Sequence, residues 1–317
     1  MNRKVCNRAG TVYLATEILF FTFSVLGIGS SLGFGLNLLI SQLIVLIPGL
    51  IFVLTDKRSL YEKIGLKKIS AGDVLLCILY AILMKRVLEM VNLMSLFFTQ
   101  NRTTANMIEM MQEIPAWAGI AMVGIMPAVG EELVFRGVLY NTFKKVNPLL
   151  AVITSSVLFG ILHGNLNQFL YAVVGGVMFV LIVEATGSVL ASGIAHCLVD
   201  LSAIILVYLL TVVMDSATLA EYIAELESQL DNETLMADLP STVLWGIFSL
   251  IGAIALAIFI ARKNGRLENL RHAFSTKKES QGELLTDGRI FNGPVIAGIV
   301  IGIFYMILVE MALRMTA

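Results

Sequence analysis

Long apolar runs separated by short polar stretches make up most of the chain, and each run approaches the length that a helix needs to cross a membrane. About 20 apolar residues span roughly 30 Å of hydrocarbon. The predicted spans are 12–31, 35–55, 73–98, 116–143, 148–163, 166–186, 188–213, 241–261 and 293–313. Because the fifth to seventh runs are short and close together, we expect some turns inside the protein. The pattern predicts an all-α fold, a polytopic transmembrane helical bundle of eight to nine spans.

Composition supports a membrane protein. The 317 residues are 57% hydrophobic and 14% charged, and the mean hydropathy of +0.86 lies far above that of soluble domains of this length. The net charge of −1 gives no indication of a nucleic-acid partner. The three cysteines, Cys6, Cys77 and Cys197, are scattered without paired spacing, so neither a disulfide framework nor a zinc ribbon is predicted.

Basic residues predict the orientation, because Lys and Arg collect in cytoplasmic loops. Arg3, Lys4 and Arg8 predict a cytoplasmic N-terminus, and residues 56–68 carry five basic residues against two acidic. Residues 262–292 carry seven basic residues against four acidic, whereas residues 215–239 carry seven acidic residues and no Lys or Arg. With nine alternating spans, the basic segments fall inside and the acidic segment falls outside.

The acidic outer segment has apolar residues at helical spacing. Leu219, Ile223, Leu226 and Leu230 predict a short amphipathic helix, which could be a solvated connector, a lid over a cavity, or a contact for a membrane-protein partner. We therefore divide the chain into N-terminal transmembrane helices (1–114), an intramembrane core (115–213), the acidic extracellular amphipathic segment (214–240), and C-terminal transmembrane helices with a basic cytoplasmic loop (241–317).

Three ionisable residues interrupt the fourth span. Glu131, Glu132 and Arg136 lie deep in an otherwise apolar helix, where a carboxylate must be paired, protonated or in contact with water. Glu132 and Arg136 stand at i and i+4, the spacing of a helical ion pair. Glu131 points about 100° away on an α-helix and gains no partner from this pair. An unpaired carboxylate beside a neutralised neighbour is a candidate general base.

Two other spans carry histidines at a similar depth. "FGILHG" contains His163 one turn after Phe159, and "GIAHCLVD" contains His196 one turn before Asp200. A single membrane histidine is usually a hydrogen bond between helices. Two of them near a double glutamate favour a shared site. Cys197 is adjacent to His196 and diverges from it on a helix, which argues against a Cys-His dyad. No His-Glu-x-x-His motif of zinc proteases is present.

These three motifs resemble those of a known family. "EELVFR" (131–136) is similar to a Glu-Glu-x-x-x-Arg motif, "FGILH" (159–163) to Phe-x-x-x-His, and "HCLVD" (196–200) to His-x-x-x-Asn/Asp. They identify residues 115–210 as a member of the CPBP family of intramembrane proteases, which includes type II CAAX prenyl proteases and bacteriocin-processing enzymes and is also called Abi. The resemblance implies a metallopeptidase-type endopeptidase with catalytic residues Glu131, Glu132, Arg136, His163, His196 and Asp200.

Position 200 leaves the role of a metal open. The prenyl-protein enzymes carry Asn there, whereas an ionised Asp only accepts hydrogen bonds. Asp200 must then be protonated, bind a cation, or orient His196. We favour His196 and Asp200 acting with a divalent metal or as a protonated pair, and a metal, with zinc the best match, would find ligands in Glu131, His163, His196 and Asp200.

The predicted function is hydrolysis of a peptide bond in a membrane-associated peptide or protein. Water enters a conical cavity near the cytoplasmic leaflet, His163 holds it, and Glu131 deprotonates it. The alternatives are a noncatalytic membrane scaffold or immunity protein, and a proton-coupled transporter, although no second Glu-Glu segment suggests the paired halves of a transporter. The predicted location is a prokaryotic plasma membrane.

Overall fold

A computed structural model describes residues 2–99, 114–215, 218, 221–222, 232–275 and 288–315. The regular structure of these residues is helical, which confirms the all-α class. The helices are α1 (Asn2–Val25), α2 (Phe34–Thr55), α3 (Leu60–Ile64), α4 (Ala71–Leu96), α5 (Ala116–Phe143), α6 (Pro148–Leu162), α7 (Leu166–Thr186), α8 (Val189–Val213), α9 (Asn232–Lys263), α10 (Leu267–Ala273) and α11 (Gly293–Met315).

Six of these helices, namely α2, α5, α7, α8, α9 and α11, are long and apolar enough to cross a membrane. The chain is therefore a membrane protein. Helices α1 and α4 occupy two further predicted spans and carry more charge, and α6 has 15 residues. Two helices begin earlier than predicted: α1 at Asn2 and α9 at Asn232.

The acidic outer segment is mostly outside the described residues, including Leu219, Ile223, Leu226 and Leu230. Its predicted amphipathic helix stays a prediction, as does the division of the chain into four parts.

Helix caps fix the short turns of the core. Asn147 accepts a hydrogen bond from the Leu150 amide and Pro148 follows at the first helical position, so α6 begins there. Asn165 caps α7 through the Gln168 amide. Between α6 and α7, Gly164 has φ of +68°, and a Cβ at this residue would also clash with the Tyr305 ring. The tight turn leaves His163 at the C-terminal end of α6.

Helix α5 lies in the middle of the bundle and contacts α2, α6 and α8. Gly130 lies against the Leu46 backbone of α2, which allows the two helices to approach closely. Helix α4 packs against α7, α8 and α9, while α1 packs against α2 and α11. Most buried apolar side chains of these helices form one core, and a second, smaller cluster is centred on Ile204 and Val207 of α8.

Several basic residues lie together at one end of the bundle, which we call the basic end. Here Arg8 lies 3.9 Å from Asp56, Lys263 lies 2.9 Å from Asp73, and Lys144 lies 2.8 Å from Glu184. Each of these six residues lies near the end of a different helix or directly after it. The segments with surplus positive charge therefore meet on one side of the bundle.

Candidate active site

Helix α5 changes its winding around the double glutamate. It has π-type turns at Ile120–Ile125 and at Leu133–Tyr140, with an α-helical stretch, Met126–Glu132, between them. Wide turns of this kind are rare and are frequent at functional sites. Glu131 and Glu132 end the α-helical stretch, so both carboxylates leave the helix where its period changes.

The predicted ion pair between Glu132 and Arg136 forms. Arg136 Nη1 donates to Glu132 Oε1 at 2.9 Å, and both side chains are almost completely buried. Glu132 Oε1 also lies 3.0 Å from His196 Nδ1 of α8. Because a carboxylate accepts hydrogen bonds, Nδ1 is the donor when Glu132 is ionised. Glu132 thus joins Arg136 to His196, a second contact that helical spacing does not reveal.

Aromatic rings enclose this ionic chain. The Arg136 guanidinium lies over the Phe159 ring, with Cζ 4.3 Å from the ring centre, and over the Phe179 ring at 4.7 Å. Phe179 also stacks on the His196 imidazole, with ring centres 4.7 Å apart. Guanidinium groups bind favourably to aromatic faces away from water. Phe179 was not among the predicted residues, since nothing distinguishes it from an ordinary core phenylalanine of α7.

The second nitrogen of His196 lies between two carboxylates. Its Nε2 is 3.4 Å from Asp200 Oδ2 and 3.7 Å from Glu131 Oε2. The predicted residues Glu131, Glu132, Arg136, His196 and Asp200 therefore meet around one imidazole. Among the described residues, the Glu131 carboxylate has no hydrogen-bond partner, and its contact with His196 is 3.7 Å long. Glu132, in contrast, is held by both Arg136 and His196.

His163 belongs to the same region through Phe159 and the cavity. Its Nδ1 lies 2.9 Å from the Phe159 carbonyl oxygen. A carbonyl accepts only, so Nδ1 carries the proton. In the neutral ring, Nε2 is then free to accept a proton or to hold water. The Phe159 ring meets both imidazoles edge-on, with centres 4.9 Å from that of His163 and 5.9 Å from that of His196.

Glu131 and His163 line one cavity of about 160 Å³. Polar side chains of Ser41, Gln42 and Gln168 share its wall, and a polar cavity of this size has room for several waters. His196 and Asp200 are not part of this wall. These three polar residues were missed, although polar side chains within the apolar runs of α2 and α7 were a signal. A larger cavity, about 740 Å³, lies between α4 and α9 and is lined by none of the predicted residues.

The predicted zinc ligands do not form a ready-made metal site among the described residues. Among the described residues, no three His, Cys, Asp or Glu side chains are arranged to hold a metal ion. Glu131, His163, His196 and Asp200 include only pairs at short distance, and Glu132 already occupies His196 Nδ1. Zinc binding stays a prediction, and the mechanism below uses no metal.

One part of the chain matches a known protein family. Residues 113–202 match the family model described as type II CAAX prenyl endopeptidase, Rce1-like. This match supports a likeness of the matched segment to the CPBP family. The matched segment, residues 113–202, contains all six predicted residues, and we call it the CPBP core. It runs from just before α5 into α8 and so includes the helices that build the site. Searches of curated proteins and of solved structures gave no significant match. The match supports a CAAX-type intramembrane protease.

Proposed function

We propose that the CPBP core hydrolyses a peptide bond of a membrane-associated peptide or protein with water activated by Glu131 and His163. One observation carries this proposal: Glu131 and His163, from two different helices, line the same polar cavity, and among the described residues neither the Glu131 carboxylate nor His163 Nε2 has a hydrogen-bond partner.

The reaction begins with a water held by His163 Nε2. Glu131 takes one of its protons while the hydroxide oxygen adds to the carbonyl carbon of the peptide bond. The protonated Glu131 then gives this proton to the leaving nitrogen as the C–N bond breaks. The products are a carboxylic acid and an amine, and Glu131 returns to its ionised form.

His196 is the candidate donor to the oxyanion. Three carboxylates, Glu131, Glu132 and Asp200, surround it against the single positive charge of Arg136. An imidazolium with protons on both nitrogens would balance part of this negative charge. Its Nε2–H could then donate to the developing oxyanion, a stabilisation that commonly accounts for a large part of the rate enhancement. Asp200 and Glu132 would orient the ring from its two sides.

The name of the matched family suggests the substrate class. We propose a substrate with a lipid-anchored or membrane-embedded C-terminal segment. The convergence of basic residues at one end supports a cytoplasmic location for that end and for the N-terminus. A prokaryotic plasma membrane remains our proposal for the location.

The test is peptide cleavage by the purified protein in liposomes. The substrates are a farnesylated peptide with a CAAX C-terminus and its unprenylated counterpart. Glu131→Gln is expected to lower the cleavage rate by about 10²- to 10⁴-fold, the usual range for a general base, with unchanged thermal unfolding. The control is Glu89→Gln, which removes a membrane-helix carboxylate paired with Lys85 and Arg86 outside the site.

Two outcomes would contradict the proposal. Cleavage by Glu131→Gln at the parent rate would remove Glu131 from the mechanism. A parent protein that cleaves neither peptide, nor a mixture of membrane-tethered peptides, would favour the noncatalytic scaffold. Cleavage is measured with and without a chelator, so that a metal requirement appears as a loss in the parent.

A further inference from the structure

A separate cavity lies at the basic end of the CPBP core. It has a volume of about 240 Å³ and lies between α3, the C-terminal ends of α5 and α7, and the residue before α10. Four of its lining residues are cationic: Arg136, Lys144, Lys145 and Arg266. It shares neither Glu131 nor His163 with the cavity described above. Drug-sized ligands usually need larger pockets, so this volume suits a small polar group.

The internal carboxylates leave surplus positive charge in this cavity. Glu184 is saturated, because it accepts hydrogen bonds from Tyr140, Lys144 and Arg266 at 2.8–3.1 Å. Glu62 is used in the capping box of α3 with Ser59. Even when Glu132, the partner of Arg136, is counted with Glu62 and Glu184, there are three carboxylates for the four cations of the cavity wall.

One donor atom of Arg136 has no hydrogen-bond partner among the described residues. Its Nη1 binds Glu132, while Nη2 is buried and has no hydrogen-bond partner among the described residues. A buried donor without a partner costs more than a typical hydrogen bond contributes. Arg136 is 1% exposed and forms part of the cavity wall, so an oxyanion that enters far enough to reach Nη2 would supply the missing acceptor.

Lys145 is the cation without a close counterion. It takes part in no ion pair among the described residues, although it is only partly exposed. Burial lowers the pKa of its ammonium group, and the positive charges of Arg58 and Lys144 lower it further, while Glu62 and Asp56 oppose this shift from a longer distance. An anion between these groups would relieve both the burial cost and the repulsion.

We propose that this cavity binds a phosphate-type oxyanion, held by Lys145 with Lys144 and Arg136. The donors come from α5 and from the turn that follows it, and they line a space whose wall also includes Arg266, an arrangement that suits the several oxygens of a phosphate better than the two of a carboxylate. Lysine and arginine are the common phosphate-binding side chains. The phosphate comes either from a phospholipid headgroup at the membrane surface or from solution. Binding does not require catalysis, so the proposal is independent of the proposed function.

The experiment measures thermal unfolding of the full-length protein in phosphatidylcholine nanodiscs. One arm adds inorganic phosphate against sodium chloride of equal ionic strength. The other arm replaces part of the phosphatidylcholine with phosphatidic acid. Because a ligand of the folded state raises the unfolding temperature by mass action, a saturable rise in either arm identifies the source of the phosphate.

Three variants of this end of the protein decide between a specific site and general attraction to positive charge. Lys145→Gln is expected to weaken the apparent affinity about tenfold, as loss of one charge-assisted hydrogen bond requires. Lys145→Arg should restore it. The matched control is Lys68→Gln, an exposed lysine that does not line the cavity, and its affinity should stay within about twofold of the parent.

The result is decisive in either direction. Stabilisation in at least one arm, lost in Lys145→Gln and kept in Lys68→Gln, supports the site. An unfolding temperature of the parent that neither phosphate nor phosphatidic acid raises, or an equal response of both glutamine variants, overturns it.

Discussion

Helix α5 contributes to two buried ionic clusters that are completed in different ways. At its basic end, both carboxylate oxygens of Glu184 accept hydrogen bonds from the surrounding cations and Tyr140. Deeper in the bundle, Glu132 is paired similarly, but the adjacent Glu131 comes no closer than 3.7 Å to His196. Saturated clusters stabilise a fold, whereas a buried group with unused hydrogen-bonding capacity is available for chemistry. The contrast predicts that the two clusters respond differently to substitution.

The largest effect is expected at the imidazole that lines the cavity. His163→Ala removes the Nε2 that holds water beside Glu131 and should lower the cleavage rate by about 10²- to 10⁴-fold. The unfolding temperature should change little, because the side chain makes only one hydrogen bond within the described part of the chain, to Phe159. Activity close to that of the parent would show that Glu131 works without His163.

Arg136→Ala should damage both stability and activity. It leaves Glu132 as a buried carboxylate without its cation, and breaking a buried pair in this way costs about 3–5 kcal/mol. Chemical unfolding of the purified variant measures this loss directly. A variant as stable as the parent would show that His196 alone compensates Glu132.

Glu184→Gln tests the other cluster and should show the reverse of His163→Ala. Loss of the charge at the centre of Lys144, Arg266 and Tyr140 is expected to cost about 1.5–3 kcal/mol of stability. The cleavage rate per folded molecule should stay within about twofold of the parent. A selective loss of rate without loss of stability would mean that this cluster takes part in the reaction.

The smallest effect concerns a loop at the basic end. Hydrogen bonds from Arg58 lower the pKa of Asp56 from 3.8 to about 2. Since the folded-state pKa is depressed, this carboxylate stabilises the protein above pH 3.8 and loses its contribution as the pH falls toward 2. For this solvent-screened pair we expect about 1 kcal/mol or less. The stability difference between parent and Asp56→Asn should vanish over that range, and a constant difference would contradict the linkage.

Much of the bundle was predictable because membrane-spanning helices follow directly from apolar length. The predicted limits of 116–143 and 166–186 agree with α5 and α7, whose ends are marked by Pro115, Lys144, Asn165 and Gly187. The limits of α1 and α9 were less accurate, since these helices extend into polar sequence that hydropathy alone does not assign. The i, i+4 spacing predicted the Glu132–Arg136 pair, although α5 widens between the two residues.

The partners contributed by other helices could not be read from spacing. Nothing in the sequence indicates that Glu132 contacts His196, that Phe179 stacks on that imidazole, or that Gln168 shares a cavity with Glu131. Such contacts depend on how the helices rotate against one another. For the same reason the sequence did not indicate that Glu184 is 4% exposed and enclosed by Tyr140, Lys144 and Arg266.

The central claim is that Glu131 and His163 face one hydrated cavity inside the bundle. Cysteine accessibility tests this claim most directly, with single cysteines at position 131 or 163 in a background where Cys6, Cys77 and Cys197 are replaced. A charged, membrane-impermeant thiol reagent should label both positions from the same side of the membrane, while Val134→Cys, at a fully buried position of α5, stays unlabelled. If neither position reacts, or if the two react from opposite sides, Glu131 and His163 do not share a pool of water and the proposed hydrolysis cannot take place there.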